Sequence, residues 1–230
     1  MLTSPLSLPD YWLTLPPVTF GEAEQAACDA LLDQSLAYGP QRWIEYTLPI
    51  PKWQFLSYCV QQHPLALHGS GHLDIHTFEP RQPVDLEAFG AQNAVYAAAD
   101  GVWPIYFAIV DRRKSPSIVN ACVYVEETDG RLSEPYYCFS ISRQAVGRQP
   151  YRSGAVYLLP RAPFVRQPPL QVGAWRIHTA QLAAFEPVTP LAKLAVTPED
   201  FPLLAQMLAH DDDRLEEYAQ AMQRGLPWPH

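Results

Sequence analysis

The 230-residue chain has no stretch approaching the roughly 20 consecutive apolar residues that a membrane-spanning helix needs. Its first residues, Met1 to Asp10, hold no basic side chain and no long apolar run, so no secretory leader is expected and the default compartment is the cytoplasm. Charge is sparse: 17% of residues are charged, with 16 basic against 24 acidic side chains and a formal net charge of -8. A protein whose affinity rests on clustered Lys and Arg along a phosphate backbone is excluded as a general class, so no extensive nucleic-acid footprint is expected. Cysteine is scarce too. Cys28, Cys59, Cys122 and Cys138 have no C-x-x-C spacing, and two of them sit in apolar runs typical of free core thiols. Glycine is also low, at 11 residues, and no G-x-G-x-x-G, P-loop or G-x-S-x-G is present. Dinucleotide folds of the Rossmann type, P-loop NTPases and α/β-hydrolases therefore have no support.

Proline is abundant. The 24 prolines are about twice the usual ~5% share, and they are spread along the chain. Proline lacks a backbone N–H and interrupts helices and central strands, so short elements joined by many loops are expected. With 48% hydrophobic and 12% aromatic residues, the chain has the material for a substantial core.

The pattern along the chain predicts a single α+β domain over 1–230. Residues 1–51 form an irregular proline-bearing arm, a helix from Gly21 to Leu36 ending at Gly39-Pro40, and a strand from Arg42 to Ile50. A helix begins after Pro51. Strands are predicted at Leu65–His68, Ala94–Ala97, Ser117–Val125, Tyr136–Ser142, Ala155–Leu159, Trp175–His178 and Leu191–Val196. Trp103 to Val110 reads as a helix with Pro104 in its first turn. Asp129-Gly130 suggests a hairpin with a longer loop. Residues 197–230 read as a helical hairpin, its first helix capped at Thr197 and its second running from about Asp213 to Arg224 before Gly225. The acids of Asp211-Asp212-Asp213 suit the start of that last helix.

Four histidines, His63, His68, His72 and His76, lie close together in sequence, but Gly69 and Gly71 break a helical alignment and no nearby cysteine supports zinc. His68 stands apart because it ends an apolar strand and precedes Gly69-Ser70-Gly71, where the backbone turns sharply and comes close to whatever lies beside it.

Leu67-His68-Gly69-Ser70, Phe78-Glu79-Pro80-Arg81, and Ala94 to Asp100 followed by Trp103-Pro104-Ile105-Tyr106-Phe107-Ala108 together resemble the cleft of the ADP-ribosyltransferase superfamily. The H-Y-E branch, which includes diphtheria toxin and the poly(ADP-ribose) polymerases, is the nearer likeness. Val156 to Arg161 and Pro187-Val188-Thr189-Pro190 are similar to segments of small bacterial proteins of that type. The resemblance spans about residues 52–196 and implies a split β-sheet core.

The resemblance also implies NAD as cosubstrate, bound by several named residues. His68 would hydrogen-bond the nicotinamide-side ribose, the backbone of Gly69 would meet the carboxamide, and Ser70 would complete the motif. Tyr96 would stack on the nicotinamide, with Tyr106 as a second aromatic wall. Arg81 and Arg161 are the better phosphate candidates, and Arg112, Arg113 and Lys114 form another basic cluster. The family's catalytic Glu departs from pattern: counting back from the Pro-Val pair gives Gln181, while the nearest carboxylate is Glu186. Three readings follow, with Glu186 in the site, Gln181 in the site of a weak transferase, or a binding-only relative. The expected function is transfer of ADP-ribose to an acceptor the residues do not specify, or hydrolysis of NAD. The alternative is a catalytically inactive nucleotide-binding or protein-interaction module. An RNA 2′-phosphotransferase on the same fold is disfavoured by the acidic charge.

Overall fold

Apolar runs cut short by proline and glycine become short strands in the computed structural model, which describes residues 8–39, 42–83 and 88–230. The segment before residue 8 and Pro40, assigned above to the arm and to a helix stop, lie outside the described residues. Four α-helices are present among those described: α1 (Glu22–Ala37), α2 (Lys52–Gln62), α3 (Trp103–Ile109) and α4 (Leu215–Arg224). The strands in the first half are β1 (Arg42–Trp43), β2 (Leu65–Ser70), β3 (Val95–Ala98), β4 (Ile118–Val125) and β5 (Tyr136–Ser142). Those in the second half are β6 (Gly154–Pro160), β7 (Val165–Arg166), β8 (Leu170–Val172), β9 (Trp175–Thr179), β10 (Gln181–Ala184), β11 (Ala192–Val196) and β12 (Leu208–His210). They build a seven-stranded sheet in the order β1-β11-β6-β2-β3-β10-β7 and a five-stranded sheet in the order β12-β5-β4-β9-β8. The class is α+β.

The central strands of the seven-stranded sheet are buried on both faces, which explains why they read as continuous apolar runs, while the edge strands β1 and β7 are exposed. Successive side chains point to opposite faces. In β2 and β6, Leu65, Leu67, Val156 and Leu158 join the larger core, while Ala66, Ala155, Tyr157 and Leu159 join a smaller one with Phe78, Val95 and Leu182. Helix α3 belongs to the larger core and bridges the two sheets. It lies directly on β2 and β6, where a Cβ at Gly69 would stand 1.7 Å from the Pro104 carbonyl oxygen and one at Gly154 would stand 2.2 Å from that of Ala108. Towards the five-stranded sheet, Tyr106 Oη donates to the Ser140 carbonyl at 2.7 Å in β5, and the Trp103 indole, at the helix start, reaches Asn120 Oδ1 in β4 through Nε1 at 2.7 Å.

The first turn of α3 is capped by the buried carboxylate of Asp100, which accepts from the backbone N–H of Val102 (2.9 Å) and Trp103 (2.6 Å) and from Tyr137 Oη (2.7 Å). Burial raises this carboxyl above the usual aspartate range, and these donors pull it back. Asp100 thus ties the helix start to the second sheet.

Two expected elements differ. The strand over Arg42–Ile50 is reduced to β1, which pairs parallel with β11 at Arg42 and Trp43. Beyond it Tyr46 Oη bonds the Ile50 carbonyl at 2.8 Å, a local closure that takes this segment out of the sheet. The C-terminal hairpin has one helix rather than two. Thr197 does start a turn, with its N–H bonded to Asp200 Oδ2 at 2.8 Å, but this ends as a 3₁₀ turn at Asp200. Pro202 cannot donate within a helix and would clash with the preceding turn, so the chain continues as another 3₁₀ turn, Leu204–Gln206, and then as β12. Helix α4 ends as expected, at Gly225 with φ of 62°.

Strand β12 pairs parallel with β5 and is held by a buried polar cluster. His210 Nε2 lies 2.7 Å from Ser117 Oγ, and its Nδ1 faces Ser140 Oγ. Asp212 accepts from Ser117, from Ser142 Oγ (2.6 Å) and from Gln144 Nε2 (2.8 Å). Since Ser117 gives its proton to Asp212, His210 is protonated on Nε2 and accepts on Nδ1. Asp212 therefore serves this cluster, while Asp211 caps the short turn through Asp213 N–H at 3.1 Å.

Candidate functional site

Strand β2 pairs with β6 along all of Leu65–Ser70, but with β3 only at Leu67 opposite Ala98. Continuing that register would set Gly69 opposite Tyr96. Instead the strands part, and the His68 ring closes the gap by donating from Nδ1 to the Tyr96 carbonyl at 2.6 Å. A cleft of about 580 Å³ opens beside this point, between the split and α3. That is within the range of small-molecule sites, roughly 300–1,000 Å³.

His68, Gly69, Ser70, Tyr96 and Gln181 all line the cleft. Burial lowers the His68 pKa below the ordinary histidine range; the Tyr96 carbonyl opposes this and the charge of Arg81 adds to it. The ring is therefore neutral near pH 7, with Nδ1 carrying the proton and Nε2 a lone pair. Gly69 is required by the contact with Pro104, whatever ligand the cleft takes. Ser70 Oγ accepts from the His72 N–H at 3.0 Å and holds the turn that follows. Tyr96 Oη donates towards the carbonyls of Phe89 (2.8 Å) and Gln92 (2.9 Å), which tethers the end of its side chain.

Gln181 starts β10 opposite Ala98, so the ladder itself delivers it to the cleft. Its backbone is held by the Gln167 N–H, which donates to the Gln181 carbonyl at 3.1 Å. Glu186 is not part of the cleft wall. It follows β10 at an exposed position in the bend after Ala184, whereas Gln181 at the start of the strand lines the cleft. The structure thus separates the two candidates for the third motif.

Three other expectations are corrected. Tyr106 is fully buried against Phe139 and Phe201 and bonds Ser140, so it forms no cleft wall. One residue along a helix is a turn of about 100°, and the cleft face of α3 carries Trp103 and Phe107, four residues apart, with Phe107 39% exposed. Arg81 is exposed and engaged through its backbone with Ala94 at 3.1 Å in both directions, outside the cleft. Arg161 turns its guanidinium to the Phe164 carbonyl, also outside it.

Arg112 and Arg113 do line the cleft, and with them Arg152, which no local motif singles out. Asp111 is the sole carboxylate of the wall among the described residues. Arg113 occupies it as a fork, Nε to Oδ1 at 3.0 Å and Nη2 to Oδ2 at 3.1 Å, and holds its pKa down to about 2. Arg152 Nε is buried with no hydrogen-bond partner, the one such side-chain atom among the described residues. Leaving a buried donor unpaired costs about 1–3 kcal/mol, more for a charged group. No group of three His, Cys, Asp or Glu side chains is placed to hold a metal ion among the described residues.

No family model, curated protein or solved structure matches the chain.

Proposed function

We propose that the cleft binds a nicotinamide dinucleotide in the manner of the H-Y-E ADP-ribosyltransferases, and that ADP-ribose transfer or NAD hydrolysis there is slow. The observation that carries this reading is the convergence of His68 and Gly69 from β2, Tyr96 from β3 and Gln181 from β10 on one cleft. These are the residues that the resemblance to that family selects.

The chemistry of the wall suits the role. Neutral His68 accepts a ribose hydroxyl at Nε2. Tyr96 and Phe107 supply flat apolar surface for a cationic ring, a contact of about 0.5–2 kcal/mol. The Gln181 amide both donates and accepts, so it orients a ribose hydroxyl. In the reaction the C–N bond to nicotinamide breaks with its electron pair on the leaving ring, and an acceptor hydroxyl or water forms the new bond and gives its proton to solvent. The ribose develops positive charge as this happens. Gln181 brings no negative charge to it, and loss of one such preorganised contact commonly costs about 10²–10³ in rate.

A second reading has its own observation. Asp111, the one carboxylate of the wall among the described residues, is already held by Arg113, so none of the described residues offers the ligand a free carboxylate. This favours a binding module without turnover. Calorimetric titration with NAD⁺, followed by measurement of nicotinamide release, decides between them. Binding with slow release supports transfer, binding without release supports the module, and no binding at millimolar NAD⁺ removes both.

A further inference from the structure

We infer that the mouth of the cleft is a diphosphate subsite centred on Arg152, with Arg112 and Arg113 beside it. The inference deepens the reading above and rests on it for the direction of the ligand, but the subsite itself stands on the arginines.

The backbone places Arg152 there. The segment Pro150 to Arg152 runs against the end of α3, with Asp111 N–H bonded to the Pro150 carbonyl and Arg152 N–H to the Ile109 carbonyl, each at 2.8 Å. Val110 and Tyr151 form the bridge between these bonds. The Arg152 side chain then crosses Gly71, where a Cβ would fall 1.8–2.1 Å from three of its guanidine atoms. Strand β2 runs on through Gly69 and Ser70, where a sharp turn was expected, and the glycine that follows it is what leaves room for the guanidinium at the cleft.

The charges are unbalanced at this place. Among the described residues, three guanidiniums meet a single carboxylate in the cleft wall, which leaves two positive charges there in a chain whose net charge is -8. Both oxygens of Asp111 are taken by Arg113, and Arg112 Nη2 donates to the Pro116 carbonyl at 2.6 Å. Arg152 is close enough for its charge to help lower the Asp111 pKa, yet its buried Nε has no partner among the described residues. The missing partner is an acceptor on an anion. A phosphate oxygen pair fits a guanidinium fork, and a diphosphate diester carries two negative charges against the two in excess here. The ligand would then lie with its ring end at Gly69 and Tyr96 and its phosphates at Arg152.

The test is calorimetry with ADP, inorganic pyrophosphate, NAD⁺ and nicotinamide riboside, which lacks phosphate, on the parent, Arg152→Gln and Gly71→Ala. The second variant keeps every charge and only pushes the guanidinium aside, so it reads position if Arg152→Gln fails to fold. Expected are binding of ADP and pyrophosphate by the parent, weakened by added salt. Both variants should lose about 10–100-fold for ADP and NAD⁺, the loss of one charge-assisted contact, with nicotinamide riboside unchanged. ADP binding lost in the variants while the parent ignores NAD⁺ keeps the subsite and removes the nicotinamide reading. NAD⁺ binding equal in parent and variants, or no parent binding of ADP or pyrophosphate, overturns the subsite.

Discussion

The imidazole of His68 is hydrogen-bonded through Nδ1 to the main-chain carbonyl of Tyr96, 2.6 Å away, at the place where β2 and β3 stop pairing. The two residues that a ligand would meet are therefore also the two that close the split. On the reading proposed above, ligand contact and sheet integrity are coupled through one side chain.

His68→Ala should accordingly act on both. NAD⁺ affinity should fall about 10-fold or more, and stability should fall by about 0.5–1.5 kcal/mol for the lost bond. Calorimetry and chemical denaturation of the same preparation separate the effects. Unchanged affinity in a folded variant would remove His68 from the ligand site.

Gln181→Glu should raise nicotinamide release by about 10–10³-fold, because on the proposed reading it sets a negative charge beside the positive charge that develops on the ribose, with little change of shape. Glu186→Gln, exposed and outside the cleft, should leave release at the parent rate. Loss of activity in Glu186→Gln would contradict the placement of the third motif at Gln181.

Neighbouring aromatic residues of α3 should behave oppositely. Tyr106→Phe removes the bond to Ser140 and should destabilise by about 0.5–1.5 kcal/mol without altering ligand affinity. Phe107→Ala removes a half-open wall and should weaken NAD⁺ binding several-fold with a smaller effect on folding. Urea denaturation and calorimetry on both variants test the pair; equal effects on affinity would overturn the assignment of faces.

Gly69→Ala should be among the most damaging single-methyl changes, costing about 1–3 kcal/mol or more, since the added atom meets the Pro104 carbonyl backbone at 1.7 Å. Thermal melting checks it. A parent-like melting temperature would mean that α3 does not sit on β2 as described.

Stability should fall as pH drops from about 6.5 towards 4. Burial lowers the His210 pKa to about 4, opposed by Asp212 and Asp211 and assisted by Arg112 and Arg143. Between the unfolded value of about 6.5 and the folded one, the unfolded chain binds more protons, so acidification favours unfolding. The Asp212 carboxyl, lowered by its serine and glutamine donors against burial, contributes in a lower window, as pH falls through its folded pKa. Melting at pH 7, 5.5 and 4.5 should show the slope, and His210→Gln should flatten it. A slope unchanged in the variant would assign the effect elsewhere.

Much of the local structure was written in the sequence. Pro104 marks the start of α3, the continuous apolar run Ala155–Leu159 makes a strand buried on both faces, and Gly225 stops the last helix, because each follows from backbone sterics or short-range pattern. The short segments around His68 and Tyr96 were also legible as strands. Tertiary packing decided the rest. Nothing local distinguishes Tyr106 from Phe107; their roles follow from the rotation at which α3 meets Gly69 and Gly154. Gln181 rather than Glu186 reaches the cleft because β10 registers against β3, a pairing between residues 83 apart at Gln181 and Ala98. Arg152 gave no signal in sequence, since a lone arginine after a tyrosine acquires meaning only when Gly71 and Asp111, distant along the chain, are folded around it. Local rules act over a few residues, whereas a cleft is made by long-range register, and that is settled only when both faces of the sheet are packed.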